Sequence, residues 1–590
     1  MEETVETIFR GLPISKGIGI GTPVFFFDEH STAVTQSISD GEVEIEIIRY
    51  RSALKESRGD LEQLREKVMS DGGAPEVVSI LGSHLELIED PMMTTVVEEK
   101  IRTLLCKPES AFHHLLEEYK QRFRAVEDTY FQERFKDLID VSRRVIGHLS
   151  PLQEMKKQPL PDQSVILAHE LVPSDTIEVN PSSVTAFVTA VGGITSHAAI
   201  IARAKGIPYV ANIDIKAFKR LKLESLIVDG SRGLVIVNPS SQTLQKYRNI
   251  QQKNQESSQL LNQSLRLKAE TVDGYEIRIF ANLENPKEID QLLHSGAEGV
   301  GLFRTEYLFL SKKHFPTEEE QYQVYRGMAS ALEGKPLVIR VFDIGGDKKP
   351  DLNIHDPAAK YFSILDSELN PALGCRAIRL LLRNPELLRA QIRAILRASA
   401  HGEIHLLLPM VADLSELRHV RELVKAIRSE LEGEGIEVGD ELPIGSMIEV
   451  PSSAIMCDAI ARESDFLSIG TNDLSQYVLA ADRGNPNTAS LYPSTHPSIL
   501  RLIRMVVSSA QNARKPVILC GECAADPAMI PILIGLGIRE FSVALRHIPL
   551  VKHTLRKWRI VEACRVAESA LEQTAAQDLS DFLAAETVRD

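Results

Sequence analysis

The sequence is short of cysteine. Its 590 residues hold six, Cys106, Cys375, Cys457, Cys520, Cys523 and Cys564. That is too few for a disulfide framework, and they read as free thiols in a reducing cytoplasm. No run of about 18 apolar residues occurs, which argues against a helix that spans a membrane. The opening Met1-Glu2-Glu3 has no basic stretch followed by an apolar one, so no secretory signal is expected. Positive charge is scarce: 67 Lys and Arg against 82 Asp and Glu leave a net charge of −15. Such a surface repels nucleic acid and anionic lipid, so neither nucleic-acid binding nor membrane insertion is expected. An anionic substrate would need its own cluster of arginines. A protein partner would be neutral or basic where it touches.

Length implies about three to five domains, and the composition changes along the chain accordingly. Residues 1–28 read as a short β segment. Residues 29–150 are rich in Glu, Lys, Arg and Leu. Their apolar spacings of three and four, as in Leu54, Leu61, Leu64 and Val68, predict an inserted bundle of about three or four helices. Residues 151–240 switch to short strands and turns, a small α/β domain that the first β segment completes. Residues 241–268, rich in Gln, Asn, Ser and Lys, suit a solvated helical linker. From 269 to 590, eight short apolar runs alternate with helical patterns: 277–282, 298–302, 337–342, 405–409, 444–448, 465–469, 516–520 and 539–543. Eight such units over about 300 residues predict a (β/α)8 TIM barrel, with an open doubly wound sheet as the alternative.

Between residues 192 and 203 the chain reads Gly-Gly-Ile-Thr-Ser-His-Ala-Ala-Ile-Ile-Ala-Arg. An apolar run, Val184 to Val191, leads into the two glycines, and a helix-forming run follows His197 up to Gly206. The pattern is strand, tight loop, helix. Thr195 or Ser196 would cap the helix at its start and Gly206 at its end. The free N–H groups at such a start favour an anion beside His197 and disfavour imidazolium. A neutral nitrogen able to attack and carry a phosphoryl group fits both facts. A histidine that merely packs or caps is the other reading.

Barrel active sites lie at the C-terminal ends of the strands. Those ends carry Arg304-Thr305-Glu306, then Arg340 continuing to Asp343-Ile344-Gly345-Gly346-Asp347-Lys348. They also carry Glu449, Gly470-Thr471-Asn472-Asp473 with Asp482-Arg483 beyond, and Cys520-Gly521-Glu522. Arginines offer planar forks for phosphate or carboxylate oxygens. Glu449 and Asp473 offer hard oxygens of the kind that hold Mg²⁺ beside a phosphate. Together they predict a small, highly anionic, phosphorylated substrate. Cys520 is either a proton donor facing that substrate or a plain buried thiol. Cys520 and Cys523 make a Cys-x-x-Cys, but no second pair and no thioredoxin-like context accompany it.

Gly193 to His197, Gly301 to Glu306, Asp343 to Lys348, Ser468 to Tyr477 and Cys520-Gly521-Glu522 together resemble the Enzyme I family of the bacterial sugar phosphotransferase system, phosphoenolpyruvate–protein phosphotransferases. The likeness runs over essentially the whole chain in the same order. The stretch His84 to Pro91 resembles that family's phosphocarrier-binding subdomain. The resemblance implies a swivelling phosphohistidine domain with an inserted helical bundle, followed by the barrel. Arg304, Arg340, Arg483, Asn472 and Asp473 would hold phosphoenolpyruvate, and Glu449 and Asp473 would bind Mg²⁺. His197 would take the phosphoryl group and pass it to a histidine of the phosphocarrier HPr. Cys520 would protonate the pyruvate enolate, with Glu522 nearby. A homodimer through the barrel is implied as well.

The histidine segment is shared with pyruvate phosphate dikinase and phosphoenolpyruvate synthase. A nucleotide-using relative is therefore one alternative, and a regulatory docking protein with an inactive barrel is another. No Gly-rich nucleotide loop precedes residue 190, and no arginine or metal carboxylate is missing. The chain departs from the family at Ala372 and Cys375, where an aromatic and often a tryptophan are usual. It departs again at Cys523, at Ala525 and over Ala544-Leu545-Arg546-His547. None of these removes a catalytic group.

Overall fold

A computed structural model describes residues 6–26, 37–70, 75–123, 129–149, 161–171, 176, 179, 183–193, 196–218, 221–265, 267–310, 314–346, 352, 356–362, 365, 368–482, 485, 488, 491 and 495–587. The chain forms two compact units, Met1–Gln255 and Glu256–Asp590.

In the first unit the chain starts a sheet, leaves it and returns. Strands β1 (Thr7–Arg10), β2 (Leu12–Ser15) and β3 (Ile18–Phe26) come before the helices. Strands β4 (Ser164–Ala168), β5 (Val184–Thr189), β6 (Tyr209–Ala211), β7 (Leu226–Asp229) and β8 (Leu234–Val237) come after them. One eight-stranded sheet results, in the order β1-β8-β7-β3-β4-β5-β6-β2. Strand β3 is the hinge of this order. It pairs parallel with β4 from Thr22↔Ser164 to Phe26↔Ala168, and antiparallel with β7 from Ile18↔Asp229 to Gly21↔Leu226.

The excursion between β3 and β4 is helical: α1 (Val43–Ser70), α2 (Pro75–Glu89), α3 (Thr95–Leu104), α4 (Pro108–Phe123) and α5 (Thr129–Leu149). Helix α1 buries Val43, Ile47, Tyr50, Leu54 and Leu61, one stripe at spacings of three, four and seven. His84 on α2 is buried between two carboxylates of α5. Its Nε2 is 3.3 Å from Asp137 Oδ1 and its Nδ1 3.8 Å from Asp140 Oδ2. Helices α6 (His197–Ala204) and α7 (Ser241–Ser264) follow. The first half of α7 lies on the sheet, where Tyr247 packs with Ile227 and Ile236 and Gln251 Nε2 donates to the Ile18 carbonyl at 2.8 Å.

The second unit is a closed barrel of eight parallel strands. They are β9 (Arg278–Leu283), β10 (Val300–Arg304), β11 (Leu337–Arg340), β12 (Ile404–Leu408), β13 (Ile444–Ile448), β14 (Leu467–Ile469), β15 (Val517–Leu519) and β16 (Glu540–Ala544). Each overlaps one of the eight apolar runs, and closure of β16 onto β9 removes the open-sheet alternative. The runs are continuous rather than alternating because both faces are buried. One face packs under the surrounding helices. The other fills the interior with Leu302, Val338, Leu407, Met447, Phe466 and Ile518. Among the described residues no helix is long and apolar enough to cross a membrane.

Close approach at β3 depends on glycine. A Cβ on Gly21 would lie 1.8 Å from the Gln163 carbonyl oxygen. Gly21→Ala is expected to destabilise the first unit by about 2 kcal/mol, through forced movement of packed backbone. Urea denaturation followed by the first unit's circular dichroism would show it, and an unchanged midpoint would count against this account of β3.

Candidate active site

Closure of the barrel brings the strand ends into one ring. Arg304 and Arg340 are register partners at the ends of β10 and β11. Glu449 follows β13, Asn472 and Asp473 lie in the helix Thr471–Leu479 that follows β14, and Cys520 follows β15. These six expected residues share the mouth of the barrel. Arg483 lies outside the described residues. His197 belongs to the other unit.

The rim is a network of buried ions. Arg340 Nη2 pairs with Glu306 Oε1 at 2.5 Å and approaches Asp343 Oδ2 at 3.5 Å. Arg376 grips Asp343 through Nε and Nη2 at 2.8–3.2 Å, and its Nη1 reaches Asp473 Oδ1 at 3.2 Å and the Tyr477 hydroxyl at 3.1 Å. Arg304 Nη1 pairs with Glu284 Oε1 at 2.5 Å. Four carboxylates, Glu306, Asp343, Glu449 and Asp473, act on the Arg340 guanidinium. Burial by itself would push that guanidinium's pKa down, but the carboxylates outweigh burial and the net direction is up. The same balance holds Arg376 charged.

Two features mark this network as incomplete. The Nε–H groups of Arg304 and Arg340 are buried and donate to no partner among the described residues. A buried N–H without an acceptor is costly, so an anion that supplies acceptors is favoured there. The second feature is Glu449. Its Oε1 accepts the Met410 N–H at 2.7 Å, and its carboxyl pKa is pushed up to about 8. Burial is the main cause, followed by repulsion from Asp473 and Asp343, with Arg340 and Arg376 opposing. Acceptor oxygens crowded together with more negative than positive charge fit a hard divalent cation. Among the described residues no three such side chains converge into a closed metal cage. Gly470 makes room for this arrangement, since a Cβ there would lie 2.6 Å from Glu449 Oε2.

Asn472 is locked to Glu522 in both directions. Its Nδ2 donates to Oε1 at 3.3 Å, and its Oδ1 accepts the Glu522 N–H at 3.0 Å. Cys520 borders the apolar interior, with its Sγ 3.1 Å from Ser468 Oγ. Burial pushes its thiol up to about 11, so the sulfur keeps its proton near neutrality. Cys523 is a second buried thiol, bonded to Thr471 Oγ1 at 3.3 Å, and all six cysteines are free. Arg376 and Asp343 were not among the expected site residues. Asp343 lay in a strand-end segment already singled out, whereas Arg376 sits in a Pro- and Gly-containing stretch with no periodic signal.

In the first unit His197 opens α6. Ser196 is the N-cap: its backbone is extended, and its Oγ accepts the Ala199 N–H at 3.3 Å. At the other end Gly206 has φ +67°, and the N–H groups of Gly206 and Ile207 close onto the carbonyls of Arg203 and Ala202 at 3.1 and 3.0 Å. The helix is a wedge. Ala198, Ala199 and Ala202 belong to the sheet's core, while Ile201 belongs to the bundle's core. Thr195 and the His197 side chain lie outside what is described.

The family models that match along the chain make it an enzyme of the phosphoenolpyruvate-utilising class. Three family descriptions match along the chain: PEP-utilising enzyme, N-terminal, at residues 10–134; mobile domain, at 160–233; and PEP-binding domain, at 258–560. The phosphoenolpyruvate-protein phosphotransferase of Listeria monocytogenes is 36% identical over 578 residues, covering 97% of this chain and 98% of that protein. Its Bacillus subtilis counterpart is 35% identical over 580 residues, with the same coverage. An NMR solution structure of Enzyme I is 32% identical and covers 42% of this chain and 99% of that one, at a TM-score of 0.34. The chain belongs to the phosphoenolpyruvate-protein phosphotransferase family and is a phosphotransferase.

Glu449 has a folded pKa above its unfolded one. Its contribution to stability is therefore complete below the unfolded value of 4.5 and lost as pH rises through about 8. In chelator-treated protein the barrel's melting temperature should fall between about pH 5 and about pH 8, and Glu449→Gln should flatten that fall. Calorimetry at several pH values tests this, with an unaltered slope in the variant as the contrary result. Arg376→Ala leaves Asp343 and Asp473 without their shared cation and should cost about 3–5 kcal/mol in denaturant unfolding. A loss below about 1 kcal/mol would show the pairing to be incidental.

Proposed function

We propose that this chain moves the phosphoryl group of phosphoenolpyruvate to His197 and then to a histidine of the phosphocarrier HPr, releasing pyruvate. The observation that carries the reading is a pair of buried arginine N–H groups, without partners among the described residues, beside a carboxylate cluster and a protonated thiol. The names of the relatives agree with it.

On this reading Arg304 and Arg340 hold phosphate and carboxylate oxygens, with Arg483, Asn472 and Asp473 completing the grip. The donors of Arg304, Arg340 and Asn472 are held by Glu284, Glu306 and Glu522, so little reorganisation would accompany the transfer. Glu449 and Asp473 would hold Mg²⁺, which when bound supplies positive charge to the phosphoryl and enolate oxygens. His197, the first residue of α6, would offer a ring nitrogen at a helix start, where N–H groups and dipole favour the phosphate it would receive. Cys520 gives its proton to the methylene carbon of the enolate, which completes pyruvate. The chain's role is positioning and charge stabilisation.

The proposed division of labour follows the sequence. Residues 1–28 and 151–240 form the phosphohistidine domain, 29–150 dock HPr, 241–268 link, and 269–590 bind substrate and dimerise. Docking of HPr beside His197 is supported by Ile201, which ties the histidine's helix to the bundle. Dimerisation is supported by exposed apolar side chains on the barrel unit, with Leu369 at 95% and Leu373 at 66% exposure. The protein would work in the cytoplasm.

With labelled phosphoenolpyruvate and Mg²⁺, acid-labile phosphate should appear on His197, with pyruvate released. His197→Ala should reduce labelling by more than about 10³-fold, the scale of losing an essential nucleophile. Label persisting on the variant would refute the assignment. Labelling from ATP without phosphoenolpyruvate would favour a nucleotide-using enzyme instead.

A further inference from the structure

Ser468 lies in the middle of β14, in register with Met447 of β13 and Ile518 of β15. Both partners belong to the apolar interior, and in-register neighbours point to the same side, so Ser468 points inward as well. It is fully buried. A hydroxyl among apolar side chains is unfavourable unless it is hydrogen-bonded, and its bond here is to the Cys520 sulfur at 3.1 Å. That sulfur has a second contact, the Ile469 carbonyl oxygen at 3.4 Å. The two contacts are not equivalent. A carbonyl only accepts and so draws the S–H toward itself, whereas a hydroxyl can donate to the sulfur of the thiol, leaving the S–H free, and of the thiolate that follows.

We propose that Ser468 is a positioning residue for the proton transfer from Cys520, aiming the S–H at the enolate and then donating to the sulfur left behind. This rests on the reading of Cys520 as the acid. In the step the S–H bond breaks and leaves its electron pair on sulfur. The enolate π pair forms the new C–H bond at the methylene carbon, giving pyruvate. The thiolate holds the Ser468 hydrogen bond until water reprotonates it after pyruvate leaves. Without the hydroxyl the thiol keeps only the carbonyl, which turns the proton away from substrate and offers the thiolate nothing.

The test uses the full chain with Mg²⁺ and phosphoenolpyruvate carrying one deuterium and one tritium in defined geometry on its methylene carbon. The reaction runs in ordinary water with pyruvate trapped at once by reduction. Configurational purity of the methyl group reports where the proton came from, and rapid quench reports phosphohistidine. Wild type should give one configuration. Ser468→Ala should give a largely racemic methyl, while phosphohistidine formation slows by no more than about threefold. Ser468→Thr, which keeps the hydroxyl, should restore the single configuration. The proposal is overturned if Ser468→Ala keeps wild-type purity, or if it loses phosphohistidine formation as severely as purity. Cys520→Ala in the same assay separates the two claims: a single configuration there overturns the role of Cys520 as acid, whatever Ser468 does.

Discussion

The ionic cluster at the barrel mouth is the constraint on which the rest of the second unit depends. Arg340 and Arg376 are buried, and so are the four carboxylates around them. Charges taken this far out of water persist only if each is met by an opposite charge or a hydrogen bond. The pairings are met in two dimensions: Arg340 to Glu306 across β10 and β11, and Arg376 to Asp343 and Asp473 across the mouth. The cluster is still not closed. Among the described residues it retains two unpartnered guanidinium N–H groups, and a carboxyl whose pKa is raised by burial and then by its carboxylate neighbours. Such a site suits an anion and a cation together, as the proposed phosphoryl transfer would need.

Below that rim the interior is apolar, filled by Leu302, Val338, Leu407, Met447, Phe466 and Ile518, and the Cys520 thiol borders it. Its position explains why it stays protonated: burial raises the cost of the thiolate more than the nearby arginines lower it. The first unit solves a different problem. Helix α6 has to belong to two cores at once. Small side chains face the sheet and one large one faces the bundle, so the histidine's helix is anchored through Ile201 to the proposed docking surface.

Much of this was legible beforehand, for identifiable reasons. Barrel strands buried on both faces leave apolar runs, so all eight could be counted before the sheet was seen. Helix caps act through bonds over three or four residues, so Ser196 and Gly206 announced α6 directly, although Thr195 and Ser196 could not be told apart as the cap. The likeness to a known family reached the same strand-end residues and added their roles. Arg376 escaped notice because it is neither at a strand end nor on a periodic face, and its partners lie 33 and 97 residues away. Ser468 escaped because a serine inside a strand carries no local signal.

What the sequence by itself determined is therefore what short-range physics writes into neighbouring residues: the strand runs, the helical insertion, the caps around His197, and the arginines, carboxylates and thiol at strand ends. Only the tertiary structure decided how those groups meet. Closure of β16 onto β9, more than 250 residues apart, sets the ring. Pairing of β10 with β11 makes Arg304 and Arg340 neighbours, pairing of β14 with β15 lays Ser468 against Cys520, and Arg376 bridges two carboxylates at the mouth. Ion pairing and desolvation depend on distances of a few ångströms between residues remote in the chain, and no local pattern specifies those distances.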